Sequence, residues 1–303
     1  MLTRDEIQGI IPPLATPFTE AGDLDESAFT REIGVMVDAG VHGLVVGGGT
    51  GEGYALSSDE LARLTTIAVA AVRGRLPVIA GILTTSTRDA IRRGQLAKEA
   101  GAQALLVAPT VYGGIPSQDR LCNYYEDVLR SVRLPLLIYN ILPQTPVTPR
   151  VVAKLLELEG IIGIKESLGG NLDTLQELLH AVGARLAVVC GLDQMLFPAF
   201  VLGARASISS LNTLLPHDSV ALWQAVQRAD LDAARTLHQK FSVVNRMLGR
   251  ENWIVHLKTV IELQGRTGGA PRRPFTPASP EEREQIAAGL ASLGVLPPAR
   301  ARP

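Results

Sequence analysis

The sequence has 303 residues, of which 46% are hydrophobic, so the chain is long enough to bury a large core as one large domain or two ordinary ones. Its formal net charge is -1 at pH 7 and it has no lysine or arginine run, which argues against a nucleic-acid partner. The two cysteines indicate no disulfide framework, and the charged start and short apolar stretches predict neither a signal peptide nor a membrane span, so we expect a cytoplasmic protein.

Eight short apolar runs have the length and composition of buried strands. Most are rich in Val, Ile or Leu and do not alternate with polar residues, which is typical of parallel strands covered on both faces. In chain order the predicted strands are Gly9–Leu14, Gly43–Val46, Pro77–Ile82, Ala104–Ala108, Pro135–Tyr139, Ile161–Ile164, Leu186–Cys190 and Ala206–Ile208.

Amphipathic segments of helical period separate these runs. Ser, Thr, Asp or Asn recurs at their starts and Gly at their ends, as in STRDAIRRGQLAKEAG before Gln103. This alternation predicts an α/β fold, a (β/α)8 TIM barrel over residues 1–228. A doubly wound open sheet is the structural alternative.

From Ala229 onward the pattern changes to helices with no strands between them. Two helical segments, Ala229–Gly249 and Glu251–Gln264, are followed by the Pro/Gly/Arg-rich link TGGAPRRPFTPASP and a last helix near Pro280–Leu293. We therefore predict that residues 229–303 form a helical C-terminal extension packed on the barrel.

Catalytic groups in such barrels lie at the C-terminal ends of the strands, and Lys165 occupies such a position. It alone of the five lysines ends a predicted strand, whereas the other four fall in helical segments, where we expect solvated charges. Partial desolvation favours the neutral amine, which is a nucleophile near neutral pH. The alternative is a structural ion pair with Glu166 or Asp193.

Three other strand ends carry candidate groups. The glycine-rich stretch 47–53 suits close approach to a ligand and an anion-binding nest with the Thr50 hydroxyl, or it is simply a turn. Tyr139 is a candidate proton donor and acceptor, or an aromatic cap on the barrel core. Tyr112 follows strand four in a loop. We consider that this loop reaches the site or a neighbouring subunit, and the alternative is a plain turn. The five histidines form no metal-spaced cluster, so the sequence predicts no metal and no other cofactor.

Together these strand-end motifs resemble the dihydrodipicolinate synthase and N-acetylneuraminate lyase superfamily of Schiff-base aldolases, from about Pro13 through Ser209. The matching pieces are Gly48-Gly49-Thr50-Gly51-Glu52, Tyr139-Asn140, Gly163-Ile164-Lys165-Glu166, Gly191-Leu192-Asp193 and Ala206-Ser207-Ile208-Ser209. The resemblance implies a lyase acting on pyruvate or a related 2-oxo acid, in a homo-oligomer that is a dimer of dimers.

The resemblance also implies roles for individual residues. Lys165 would attack the C2 carbonyl of the 2-oxo acid, and the resulting iminium would act as an electron sink at C3. Tyr139 would shuttle protons with Thr50, and Tyr112 would extend this relay from an adjacent subunit. The substrate-binding positions implied are Gly49, Thr50, Gly51, Gly191 and Ile208.

The sequence departs from the synthase pattern at three places. Gly49 stands where the family usually has Thr or Ser, the alignment of Tyr112 shifts by a residue or two, and no arginine occurs between Asn140 and Arg150. An arginine there would grip the carboxylate of a second substrate. We therefore predict an aldolase or dehydratase of a hydroxy-2-oxo acid or 2-oxo-3-deoxy sugar acid.

Three other functions stay open at this stage. One is 4-hydroxy-tetrahydrodipicolinate synthase itself, the lysine-biosynthetic enzyme. Another is a non-catalytic paralogue that binds 2-oxo acids. The third is a nucleotide- or phosphate-binding α/β protein that uses the glycine-rich stretch, which would leave Lys165 without a role.

Overall fold

The chain forms eight parallel strands that alternate with helices. The structure is a computed structural model that describes residues 2–110, 115–168, 171–249 and 251–295. The strands are β1 (Gly9–Ile10), β2 (Leu44–Val46), β3 (Val78–Ile82), β4 (Ala104–Val107), β5 (Leu136–Asn140), β6 (Ile161–Glu166), β7 (Ala187–Cys190) and β8 (Ala206–Ser207).

The strands are ordered in sequence around a closed ring. The ladder runs β1-β8-β7-β6-β5-β4-β3-β2, and all its pairs are parallel. A parallel bridge between Pro13 and Val45 joins β1 to β2, and the Leu14 N–H donates to the Val45 carbonyl at 2.9 Å. The predicted barrel is confirmed, because a doubly wound sheet would reverse its strand order at a switch point.

Twelve helices are seen in the described part of the chain. They are α1 (Glu26–Asp38), α2 (Ser58–Val72), α3 (Thr87–Glu99), α4 (Gln118–Val132), α5 (Pro149–Leu155), α6 (Leu172–Val182), α7 (Leu196–Leu202), α8 (Ser210–Leu214), α9 (Pro216–Gln227), α10 (Leu231–Leu248), α11 (Trp253–Leu263) and α12 (Pro280–Ser292). Side-chain caps explain several starts: Ser57, Ser86 and Ser117 each accept a hydrogen bond from a backbone N–H of the first turn.

Two strand and helix predictions differ from the structure for identifiable reasons. The strand predicted over Gly9–Leu14 ends at Ile10, since Pro12 and Pro13 lack the N–H that a ladder requires. The five-residue α8 was not predicted, because a helix this short shows no hydrophobic period.

The barrel interior and the helix layer form two separate apolar clusters. Residues along each strand alternate between them: on β5, Leu137 and Tyr139 face the interior, whereas Leu136 and Ile138 pack under the helices. The C-terminal helices α10, α11 and α12 pack beside one another and against α7, α8 and α9. The division of the chain near residue 228 into a barrel and an extension stays a prediction.

Candidate active site

A cavity of about 680 Å³ opens at the C-terminal ends of the strands. This is the face on which (β/α)8 barrels place their catalytic groups. The residues that line it are Gly49, Thr50, Tyr54, Leu83, Thr84, Thr85, Asp89, Arg93, Ala108, Pro109, Tyr139, Ile141, Leu142, Lys165, Gly191, Asp193, Ser209, Ser210 and Trp253.

Lys165 and Tyr139 meet at the floor of this cavity. They are partners in the register between β5 and β6, and both side chains point inward. The Lys165 amine lies 3.9 Å from the centroid of the Tyr139 ring. Only 5% of Lys165 and 4% of Tyr139 is exposed, so the amine is kept from bulk water yet faces a cavity.

Neither carboxylate that we considered as an ion-pair partner pairs with Lys165. Glu166 points to the other side of β6, where its carboxylate accepts hydrogen bonds from the Asn140 side chain at 2.7 Å and the Leu168 N–H at 2.5 Å. Asp193 accepts from the Ser210 hydroxyl and the Leu211 N–H. Burial raises the pKa of both carboxyls above their usual range.

The glycine-rich loop after β2 folds back on itself and leaves few backbone donors free. The N–H groups of Gly51 and Gly53 donate to the Gly48 carbonyl, and that of Glu52 donates to the Gly49 carbonyl. A Cβ atom on Gly53 would lie 1.8 Å from the Gly47 carbonyl oxygen, so only glycine fits this turn. Within the described residues, the N–H groups of Gly49 and Thr50 have no intramolecular acceptor and lie at the cavity wall.

Gly49 lies directly beside the Tyr139 hydroxyl. A Cβ atom at position 49 would be 3.4 Å from that oxygen, which is ordinary van der Waals contact. Thr50 lines the same wall and is 6% exposed. The structure thus brings Gly49, Thr50, Tyr139 and Lys165 together around one end of the cavity.

Gly191 completes this end from β7. A Cβ atom there would lie 1.9 Å from the Ser167 hydroxyl oxygen and 2.7 Å from Cε of Lys165, so the close packing of the lysine stem requires glycine. Gly51 and Ile208 are buried near the site but are not among the residues lining the cavity. Tyr112 lies outside the described residues, and its predicted role stays a prediction.

A buried ion pair supports the glycine-rich loop from below. Glu52 is fully buried with a left-handed φ of 51°, and its carboxylate lies 2.6 Å from the Lys258 amine of α11. That amine also donates to the carbonyls of Thr16 and Ala270. Burial lowers the pKa of Lys258, while the Glu52 carboxylate acts in the opposite direction.

Our expectation that all helical lysines are solvated is therefore wrong for Lys258, which is 2% exposed. It lies in a helix that is apolar nearly all round, and a lysine in such a helix is buried only with a partner. The partner, Glu52, is some 200 positions earlier in the sequence, so no local pattern indicated it.

The sequence also gave no reason to place Trp253, Asp89 or Arg93 in the cavity. Trp253 comes from the first turn of α11 and lines the cavity from outside the βα units. Asp89 and Arg93 form an ion pair on α3, with Nε of Arg93 2.8 Å from the carboxylate. Within the described ranges, no group of three or more His, Cys, Asp or Glu side chains is arranged to hold a metal ion.

Comparison with known proteins places the chain in a family. The model of the dihydrodipicolinate synthetase family matches residues 6–293. The 4-hydroxy-tetrahydrodipicolinate synthase of Methanopyrus kandleri is 32% identical over 296 residues, which cover 96% of this chain and 98% of that protein. The enzyme of the same name from Thermomicrobium roseum is 34% identical over 299 residues, covering 98% of each.

A solved structure agrees with these sequence matches. YagE from E. coli K12, a prophage protein of the dihydrodipicolinic acid synthase family crystallised with pyruvate, aligns with a TM-score of 0.90 at 31% identity. The alignment covers 95% of this chain and 99% of that chain.

The fold, the buried strand-end lysine and these relatives define a lyase of the class I aldolase type, an enzyme that works through a lysine Schiff base. The chain belongs to the dihydrodipicolinate synthetase family, as the resemblance in its motifs predicted. No helix in the ranges that the structure describes has both the length and the apolar character needed to cross a membrane.

Proposed function

We propose that Lys165 forms the Schiff base, with pyruvate or a related 2-oxo acid as the substrate. The observation that carries this proposal is the Lys165 amine itself. It is buried at the floor of a cavity, it lies over the ring of Tyr139, and it has no ion-pair partner among the described residues. An amine that faces a cavity and is not held in an ion pair can attack the carbonyl carbon of a bound ligand.

The reaction starts at C2 of the 2-oxo acid. The Lys165 amine attacks this carbon, the carbonyl oxygen leaves as water, and an iminium joins the enzyme to the substrate. The iminium then withdraws electrons from C3. Either a C3 proton is lost or the C3–C4 bond is cleaved, and the remaining electron pair forms an enamine. Tyr139, in contact with the amine, exchanges protons with the reacting atoms.

The carboxylate of the substrate fits the wall made by Gly49 and Thr50. Their backbone N–H groups have no intramolecular acceptor in the described part of the chain, and the Thr50 hydroxyl adds a third donor. Donors fixed by a folded loop bind an anion with little reorganisation. Gly191 keeps the lysine stem in place, and Gly51 and Ile208 support the site from the buried side.

The overall reaction we propose is aldol cleavage or dehydration of a hydroxy-2-oxo acid or of a 2-oxo-3-deoxy sugar acid. The relatives named 4-hydroxy-tetrahydrodipicolinate synthase favour that activity as a second candidate. Against it, Ile141 and Leu142 line the cavity just after Tyr139-Asn140, and the sequence offers no arginine before Arg150. A non-catalytic 2-oxo-acid-binding role is less consistent with the contact between Lys165 and Tyr139.

The proposal is tested without knowledge of the second substrate by following exchange of the pyruvate methyl hydrogens in D₂O by NMR. The wild-type protein is expected to catalyse exchange, Lys165→Met to abolish it, and Tyr139→Phe to slow it by about 10²–10⁴-fold. The control is Lys154→Met, because Lys154 is an exposed helical lysine, and this variant should match wild type. Equal exchange in Lys165→Met and wild type would exclude Lys165 as the nucleophile.

A further inference from the structure

The outer half of the cavity presents an apolar surface that the proposed chemistry of the 2-oxo acid does not use. Leu83, Pro109, Ile141 and Leu142 follow the ends of β3, β4 and β5, and Trp253 adds an aromatic ring from α11. Leu83 and Ile141 also pack against the interior cluster that contains Tyr139. Leu83 and Ile141 therefore join this apolar lining to the reacting end of the cavity.

The charged groups of the outer cavity bind neighbouring side chains. Asp89 accepts hydrogen bonds from the Thr84 hydroxyl at 2.6 Å and from Nε of Arg93 at 2.8 Å. Burial alone would raise the pKa of Asp89, but these two hydrogen bonds outweigh it and hold that pKa below its usual 3.8. Asp193 likewise accepts from the Ser210 hydroxyl.

Arg93 is the only cation besides Lys165 among the described residues that line this cavity. Its charge is neutralised by Asp89, so a carboxylate on a second substrate would enter an apolar space without a free counter-ion. Burying a charge in that way is strongly unfavourable, whereas burying apolar surface is favourable.

We propose that the second substrate is an uncharged aldehyde with an apolar body, which lies between Leu142 and Trp253 with its carbonyl directed toward Lys165. This inference rests on the proposed function, because it needs a 2-oxo acid bound to Lys165. Of the two substrate classes proposed there, it selects the hydroxy-2-oxo acid, because a 2-oxo-3-deoxy sugar acid would release a hydroxylated aldehyde. The enamine carbon C3 of pyruvate attacks the aldehyde carbon and a C–C bond forms. The aldehyde oxygen takes up a proton, and water then releases a 4-hydroxy-2-oxo acid and regenerates the lysine. Cleavage is the reverse.

The test compares matched aldehydes at saturating pyruvate, with the 4-hydroxy-2-oxo acid product measured by mass spectrometry. Benzaldehyde is paired with 4-carboxybenzaldehyde, which adds one carboxylate, and propanal is paired with glyceraldehyde, which adds two hydroxyls to the same three-carbon chain. The expected kcat/KM is at least about tenfold higher for the uncharged, apolar member of each pair.

Substitutions of Leu142 provide a second readout. Leu142→Arg places an unpaired cation in the subsite and should lower the ratio of kcat/KM for benzaldehyde over 4-carboxybenzaldehyde by about tenfold or more. Leu142→Met keeps the apolar volume and should keep the wild-type ratio.

The outcomes separate the two proposals. Intact methyl exchange with a preference for the carboxylated or hydroxylated aldehydes, or with no aldehyde turned over, overturns the apolar subsite alone. Loss of methyl exchange in the wild-type protein overturns the Schiff-base proposal and the subsite with it. The wild-type comparison is decisive even where Leu142→Arg fails to fold.

Discussion

Two glycines at the site differ in what they exclude. At Gly191 a Cβ atom would collide with the Ser167 hydroxyl oxygen and with Cε of Lys165, and the Glu166 carbonyl is only 2.9 Å away. At Gly49 the nearest atom would be the Tyr139 hydroxyl oxygen at 3.4 Å. The first position therefore has no room for a methyl group, and the second does.

A pair of alanine substitutions measures this difference. We expect Gly191→Ala to lower the free energy of unfolding by about 1–3 kcal/mol and to slow pyruvate methyl exchange at least tenfold, because Lys165 must move. The free energy of unfolding of Gly49→Ala should lie within about 0.5 kcal/mol of the wild-type value. Urea denaturation and the NMR exchange assay give both quantities. Equal effects at the two positions would contradict the packing described around Lys165.

For individual residues, the sequence predicts positions that depend on neighbouring strands but not contacts between residues far apart in the chain. Lys165 and Tyr139 end neighbouring strands, and side chains alternate along a strand, so the prediction that they share one barrel end needed only the order of the strands. The burial of Lys258 depends on Glu52, and the place of Trp253 depends on how α11 packs. Neither follows from spacing along the chain.

Among the elements, α11 determines the support of the glycine-rich loop. Its Lys258 joins Glu52 of that loop to the carbonyls of Thr16 and Ala270, in a place with almost no access to water. The αL conformation of Glu52 is unfavourable for a residue with a side chain, and this pairing holds it in place.

Removal of the buried lysine should be far more damaging than removal of an exposed one. Lys258→Met leaves the buried Glu52 carboxylate without its counter-ion and with only the Arg272 N–H as a donor, so we expect a loss of about 3–5 kcal/mol in the free energy of unfolding. Lys154→Met removes an exposed pair with Asp119 and should cost less than about 1 kcal/mol. Chemical denaturation of both variants checks this prediction, which fails if the two losses are similar.

The link between α11 and α12 is tied to α2 by a second ion pair that titrates in acid. Arg272 donates two hydrogen bonds to the Glu60 carboxylate, and they hold the pKa of that carboxyl below its usual 4.5. A depressed pKa means that the unfolded state binds more protons in this range. The stabilisation is thus fully present above pH 4.5 and is lost as the pH falls through the folded-state value.

The stability difference between wild type and Glu60→Gln should therefore disappear in acid. At pH 7 we expect wild type to be more stable by about 1–3 kcal/mol, and this difference should shrink as the pH falls below about 4.5. Glu282 closes a similar capping box at α12, with His256 and not an arginine 3.3 Å from its carboxylate, and the Ser279 N–H and His256 also hold its pKa below 4.5. Glu282→Gln is therefore a control with a smaller effect at pH 7 and a similar direction of change in acid. Urea denaturation of the three proteins at several pH values measures these differences. A difference that is constant with pH would show that the Glu60 charge does not contribute.

For the whole molecule, the order of strands and helices was predictable because each βα unit carries its own hydrophobic period and caps. The closed barrel was predicted as well, but the contact that closes it between β1 and β2, the Pro13–Val45 bridge, was not. The assembly into a dimer of dimers, implied by the family resemblance, stays a prediction, as does the role of Tyr112 across a subunit boundary.

The two parts of the cavity also differ in how far they could be predicted from the sequence. Strand-end motifs predicted the 2-oxo-acid end of the cavity, where Tyr139 and Lys165 lie at the ends of β5 and β6 and Thr50 follows β2. The outer half combines β3, β4, β5, α3 and α11, so its apolar character appears only once these elements are folded together. The second substrate is accordingly inferred from the cavity and not from a motif.

The central claim is tested most directly by trapping the covalent intermediate. The wild-type protein is incubated with pyruvate and sodium borohydride, digested, and mapped by tandem mass spectrometry. The account predicts one reduced pyruvate adduct, on the peptide containing Lys165, and its absence from Lys165→Ala. An adduct on another lysine, or no adduct in the wild-type protein, would contradict it.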